Sequence, residues 1–335
     1  MRRGLSRKLG RSGVLAVGIG LAALLVMLVV QGYIGGGDAD ELADFVRAQG
    51  TPPEGLITSG VGTRRVVVIG DVPAMAAPKT LAAQVLRELA ALGSVDALVV
   101  EVDSALQPVF DRYTATTPED ASILTREPAL LPAGDAGRHW LDLYRAIYDI
   151  NEELGADRRI RILAVAPGAW PPSQALPPKE AAELYAARGR AMAERVSAQM
   201  LERTSRARVV ALVDPLQAIR SGSAELRVGG GGAIETTWMA AALAERYPVD
   251  VYSVLIDVSL ENTGYPLVVQ YAGTRVHERL LKAVPSEAVG LPASGPIGDY
   301  GNPLLLRTGP GVTVSILPDD HTLSTLVDGY VFLPQ

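Results

Sequence analysis

From Gly13 to Val30 the chain is almost unbroken apolar, with no charge between Arg11 and Asp38. Arg2, Arg3, Arg7, Lys8 and Arg11 precede this run. About 20 apolar residues rising 1.5 Å each match a hydrocarbon core of roughly 30 Å, so the pattern predicts a transmembrane helix. Its basic flank belongs in the cytoplasm by the positive-inside rule. The expected organisation is a cytoplasmic basic segment over residues 1–12, a single-pass signal anchor in the plasma membrane over 13–34, a linker or stalk over 35–64, and an extracytoplasmic domain over 65–335. A cleaved signal peptide is the competing reading, because Gly35 and Gly37 are small enough for a processing site. The apolar run exceeds the usual h-region of roughly 7–15 residues and favours the uncleaved anchor.

Beyond the anchor, the charged stretch from Asp38 to Arg47 is compatible with a helix, which Thr51-Pro52-Pro53-Glu54-Gly55 ends. From Arg65 the texture changes to short, dense apolar runs: Val66–Ile69, Ala97–Val100, Ile162–Val165, Val209–Val213 and Val251–Leu255. Such runs do not alternate with polar residues, so both faces of each strand must be buried, as in a parallel sheet covered by helices. The segments between them supply the helices, at Lys79–Leu92, Trp140–Leu154 and Lys179–Arg203. The second carries Leu143, Ile147, Ile150 and Leu154 at helical spacing, and the third a stripe of Met192, Val196 and Met200. Trp140, Tyr144 and the methionine stripe read as core. The expected fold is therefore α/β, a mainly parallel sheet with helices on both faces and right-handed crossovers, preceded by one transmembrane helix. After residue 258 strand-like pieces recur at Leu267–Tyr271, Val312–Leu317 and Tyr330–Leu333, an extension of the same domain.

Charge narrows the partners. All 37 acidic residues but only 26 of the 31 basic ones lie beyond residue 11, so that part bears a formal charge of −11. Its overall field repels a polyanion, which argues against nucleic acid as a partner. The sequence contains no cysteine, so disulfides and thiolate chemistry are excluded and an exported domain must rely on its core.

In open α/β sheets ligands bind beyond the carboxyl ends of the strands. The first strand ends in Gly70-Asp71, the second in Glu101-Val102-Asp103 and the fourth in Asp214-Pro215. If those strands are neighbours, Asp71, Glu101, Asp103 and Asp214 reach one edge, where carboxylates can hold a hard cation or drive one another's pKa values apart for acid/base work. The bland alternative is that each caps the following turn or helix, which suits Asp103 before Ser104. His139, His277 and His321 are far apart and lack metal-ligand spacing. There is no G-x-S-x-G elbow, no Walker A loop and no G-x-G-x-x-G after a strand. Gly229 to Gly232 reads as a flexible loop, and Ser221 and Ser223 have no evident base.

At these strand ends the chain resembles the superfamily that joins erythromycin esterase-like enzymes, ChaN-type haem-uptake proteins and the Tiki/TraB proteins. The family's strand ending in G-E-x-x-H is similar to Val67-Val68-Ile69-Gly70-Asp71-Val72-Pro73-Ala74, and its L-V-x-E strand to Ala97-Leu98-Val99-Val100-Glu101. Its R-x-x-Y-x-x-N helix resembles the stretch containing Arg145, Tyr148 and Asn151. Its G-x-x-H-A segment resembles Asp214-Pro215-Leu216-Gln217-Ala218, and its closing D-G-x-x-x-L strand resembles Asp328 to Leu333. The resemblance places the first-motif glutamate on Asp71 and its histidine on Ala74, and the second-motif glycine and histidine on Asp214 and Gln217. Glu101 alone is kept. Neither Ala nor an amide replaces an imidazole base near neutral pH. The expectation is a degenerate, non-catalytic binding or envelope-associated protein taking a small-molecule or cell-envelope ligand. A second reading is a hydrolase in which Asp71, Glu101, Asp103 and Asp214 bind a divalent cation that activates water. A third is a carrier of haem or another hydrophobic ligand, with Tyr113, Tyr144, Tyr148 or His277 as axial ligand.

Overall fold

The computed structural model describes residues 41–334 apart from 63, 73–74, 133, 169–176, 229–232, 258–266, 272–273, 285, 300–303, 309–311 and 318–321. The anchor expected over 13–34 and Ala74 lie outside the described residues. Among the described residues no helix is long and apolar enough to cross a membrane.

The five apolar runs form β1 (Val66–Gly70), β2 (Ala97–Asp103), β3 (Arg161–Ala166), β4 (Val209–Val213) and β7 (Val251–Asp257). With β9 (Val289–Pro292) and β12 (Gly329–Phe332) they make a seven-stranded sheet in the order β3-β2-β4-β1-β7-β12-β9. Every neighbouring pair is parallel except β12 with the edge strand β9. The absence of alternation has the expected consequence: Val66 and Val68 pack on one side and Val67 and Ile69 on the other, each into its own apolar core.

Helices α2 (Pro53–Val61), α3 (Ala76–Ala91), α4 (Gln107–Ala115), α5 (Ser122–Thr125) and α6 (Asp135–Leu154) cover the face of Val67. The opposite face is covered by α1 (residues 41–49), α7 (Pro178–Val196), α8 (Met239–Arg246), α9 (Thr274–Ala283) and α10 (Leu323–Leu326). Met192, Val196 and Met200 are buried there, as the stripe requires. The α-helical geometry ends at Val196, and a π turn over Ser197–Leu201 replaces the last part of the helix expected to reach Arg203.

Two expectations need correction. The C-terminal pieces are strands, but only β12 joins the parallel sheet. β8 (Leu267–Tyr271), β10 (Leu304–Thr308) and β11 (Val312–Leu317) pair with β5 (Ser223–Val228) and β6 (Ala233–Thr236) in a separate antiparallel sheet, ordered β6-β5-β11-β10-β8. The glycine run 229–232, expected to be a flexible loop, lies outside the described residues. The stalk expected over 35–64 is also folded from residue 41 onward. α1 and α2 lie against the β9 segment from opposite faces of the sheet, because Leu42 and Val46 join one apolar core and Leu56 and Ile57 the other. Thr51 bridges to Gly290, and Gly60 has no room for a Cβ, which would sit 2.3 Å from the Tyr252 ring. Ile57→Ala should therefore lower the unfolding free energy by about 2–5 kcal/mol, as for a buried aliphatic truncation. Urea unfolding measures this; a change within about 0.5 kcal/mol, typical of a solvated surface site, would restore the stalk.

Candidate functional site

β2, β4 and β1 are adjacent, so the ends of all three meet at one edge. Asp71 follows β1 and its backbone N–H donates to Val213 O at 2.6 Å, holding it beside the end of β4. Its carboxylate is 1% exposed and is met by Lys79 from the start of α3. Lys79 Nζ lies 2.7 Å from Asp71 Oδ1 and 2.6 Å from Oδ2, and donates to Val72 O at 2.8 Å. The ammonium sits 4.9 Å from the centre of the Trp140 ring.

Glu101 lies two strands away. Its Oε1 is 2.7 Å from Arg188 Nη1, and its Oε2 accepts the backbone N–H of Asp214 at 3.0 Å. Arg188 comes from α7, is fully buried, and lies 4.6 Å over the Tyr185 ring. Asp214 Oδ1 accepts Leu216 N–H at 3.0 Å, capping the 3-10 turn Pro215–Ala218. Gln217, in that turn, is fully buried, and its Oε1 accepts Met239 N–H at 2.9 Å at the start of α8. The packing of α7 here depends on Gly189. A Cβ there would fall 2.3 Å from Thr237 O and 2.9 Å from Gln217 Oε1.

Burial dominates the electrostatics, since desolvation disfavours every charged form. Burial pushes the Asp71 carboxyl up more strongly than Lys79 pulls it down, and the charge of Asp214 adds to the rise. The same burial pushes Lys79 down, with Asp71 opposing. Glu101 is pushed up to about 7, chiefly by burial, then by Asp214 and Asp71, with the Arg188 guanidinium opposing. Asp214 is raised by burial against the pull of Arg188. Burial, with Asp71 nearby, also raises the phenol of Tyr144, whose hydroxyl has no hydrogen-bond partner among the described residues.

Of the four carboxylates expected at the edge, Asp71, Glu101 and Asp214 thus feel one another. Asp103 is the last residue of β2. Its Oδ1 accepts Ala105 N–H at 2.8 Å, so it takes the capping role that its place before Ser104 suggested. Of the other family-like positions, Asn151 bonds both N–H and O of Ile160, and Asp328 accepts Ser253 N–H while pairing with Arg220. Tyr113, Tyr144 and Tyr148, the tyrosines considered for haem, are buried in α4 and α6 among one another, Phe110 and Trp140. His277 Nδ1 is 3.1 Å from Asp257 Oδ2 at the end of β7, and His321 lies outside the described residues.

A cation does not fit this donor set. Among the described residues no group of three or more His, Asp or Glu is placed to hold a metal. The oxygens of Asp71 and Glu101 face an ammonium, a guanidinium and a backbone N–H. Those two cationic partners were missed in the sequence, although their positions betray them. Arg188 stands four residues before Met192 on the buried stripe of α7, and Lys79 precedes Ala82, Leu86 and Leu89 on the buried face of α3. A charge on an apolar stripe must find a buried counter-charge.

No protein-family model matches the chain, and no curated protein matches it. Solved structures do share its architecture. A succinoglycan biosynthesis protein superposes with a TM-score of 0.58 at 10% identity, covering 90% of this chain and 98% of that one. A mutant of the erythromycin esterase EreC, in its open conformation, gives 0.55 at 11% identity, covering 84% and 93%. A Bacillus cereus protein gives 0.52 at 11% identity, covering 88% and 97%. The chain has the fold of the erythromycin esterase structure, and the resemblance read from the strand-end motifs holds at that level.

The raised Glu101 fixes a sign. A carboxyl near 7 in the fold and near 4.5 when unfolded favours the fold most below pH 4.5. That contribution is lost as pH rises through 7. The loss amounts to at most about 3 kcal/mol. Unfolding free energies measured from pH 4.5 to 8 should decline accordingly, and Glu101→Gln should flatten the decline; an unchanged slope in the variant would contradict the assignment.

Proposed function

We propose that this chain is a single-pass membrane protein whose extracytoplasmic domain keeps an erythromycin esterase-like scaffold and acts in binding at the cell envelope, without catalysing hydrolysis. The observation that carries this reading is the pairing of two of the strand-end acids with buried cations of the chain itself, Asp71 with Lys79 and Glu101 with Arg188. A base or a metal ligand needs an oxygen that can turn to substrate, water or a cation. These oxygens are already directed inward. The amide of Gln217, standing where the resemblance implies a histidine, accepts a backbone N–H and offers no base near neutral pH. The basic residues before Gly13 and the apolar run after them support the anchor and its orientation.

Two measurements on the full chain test the reading. After expression it should stay with membranes through carbonate extraction, with residues beyond the anchor open to protease from outside. Purified in detergent, it should give no hydrolysis of erythromycin or a nitrophenyl ester above the buffer rate, with or without added manganese. Turnover that is abolished in a folded Glu101→Gln variant would overturn the non-catalytic role.

A further inference from the structure

A sheet edge presents a row of backbone groups ready to pair with another strand, and the two edges of the parallel sheet are β3 and β9. The β9 edge is short and already met. Thr51 N–H donates to Gly290 O at 3.0 Å and Gly290 N–H to Thr51 O at 2.8 Å, while Pro292 has no N–H to offer. The β3 edge is closed in another way, by side chains.

Arg161 N–H donates to Asp96 O just before β2, so by the alternation of the ladder Ile160, Ile162 and Ala164 turn their backbone groups outward. Asn151, on α6, donates Nδ2 to Ile160 O at 3.0 Å and accepts Ile160 N–H on Oδ1 at 2.7 Å, the exchange that a residue of an antiparallel neighbour makes. Gln107, the first residue of α4, donates Nε2 to Ile162 O at 2.8 Å and accepts Ala164 N–H on Oε1 at 2.8 Å. Those two bonds flank Leu163 as the slanted bonds of a parallel neighbour do. Asp111, one turn further along α4, accepts from Gln107 Nε2 at 2.8 Å and so fixes which end of the amide faces which backbone group. The two carboxamides make the hydrogen bonds of a strand without being one.

The strand they cover has the composition of one that pairs readily. Ile160-Arg161-Ile162-Leu163-Ala164-Val165-Ala166 is β-branched and aliphatic, with a single charge, no Pro and no Gly. Proline and repeated charge, which ordinarily blunt an edge, are missing from it. Asn151 is buried, whereas Gln107 is half-buried and Asp111 exposed, so the seal at Gln107 is reached from solvent.

We propose that Gln107 and Asn151 seal the β3 edge by standing in for an eighth strand, and that what they keep out is the β3 edge of a second copy of this chain. Two copies meeting there would pair β3 with β3 antiparallel about a twofold axis, because an isologous contact sets the same strand against itself. Phe110 and Tyr113 hold α4 in the core on the face of Val67, and the amide of Gln107 reaches from its first turn to the edge.

The test compares the full chain with Gln107→Leu and Gln107→Glu, purified in a density-matched detergent, by sedimentation equilibrium over a concentration series. Both changes remove the bond to Ile162 O, and both should lower the unfolding midpoint. Leu leaves the edge bare and apolar, so the protein mass should rise toward twice that of the parent as concentration increases. Glu sets a charge at the edge and should keep the parent's mass. Amide exchange at Ala164 in the Leu variant should be fast when dilute and slow again when concentrated. A Leu variant with the parent's mass throughout, or equal association of the Leu and Glu variants, would overturn the seal, the second outcome by tying association to lost stability. Where Gln107→Leu does not fold, Gln107→Asn takes its place, polar but one methylene too short to reach both groups, with the same expected rise and the same contrary result.

Discussion

A guanidinium and an ammonium buried against carboxylates set the character of this domain. Burying one charge without a partner is costly, whereas a well-placed pair offsets much of that cost. Arg188 on α7 reaches Glu101 on β2, and Lys79 on α3 reaches Asp71 after β1. These helices lie on opposite faces of the sheet. The two pairs therefore clamp the carboxyl edge from both sides. In an open α/β sheet that edge is where a ligand crevice forms. Here two of the acids at that edge are paired with cations of the chain itself.

The clamp explains why close packing is required nearby. Arg188 is seated only because its neighbour is Gly189, which lets α7 approach Thr237 and Gln217. The turn after β4 is held in turn by the cap of Asp214 on Leu216 and by Gln217 on Met239. Three carboxylates share this space with two cations, so at least one carboxyl is driven toward its neutral form. Glu101, raised to about 7, is the group in which that surplus is most evident.

Much of the architecture was legible in the chain. Unbroken apolar runs such as Val66–Ile69 can only be strands buried on both faces, and they became the parallel sheet in the order that brings Asp71, Glu101 and Asp214 together. What could not be read were contacts between distant segments. The lock depends on Arg188 meeting Glu101 across 87 positions of sequence, and only the breach of an apolar stripe hinted at it. The antiparallel sheet escaped because its strands are short, separated by stretches with Gly and Pro, and in part paired across long separations, as Val312 is with Val228. Residues 41–61 were read as a stalk since their few apolar positions, Leu42, Val46, Leu56 and Ile57, sit among charges and prolines and show their purpose only against β9 and β7.

The most direct test of this account is a double-mutant cycle on the central pair, using Arg188→Met and Glu101→Leu, with unfolding free energies measured for both singles and the double. Each single change should cost about 3–5 kcal/mol by stranding a buried charge, and the double, which removes both, should cost far less than their sum. Additive losses, or singles as stable as the parent, would show that Arg188 does not hold Glu101 and that the carboxyl edge is open for chemistry.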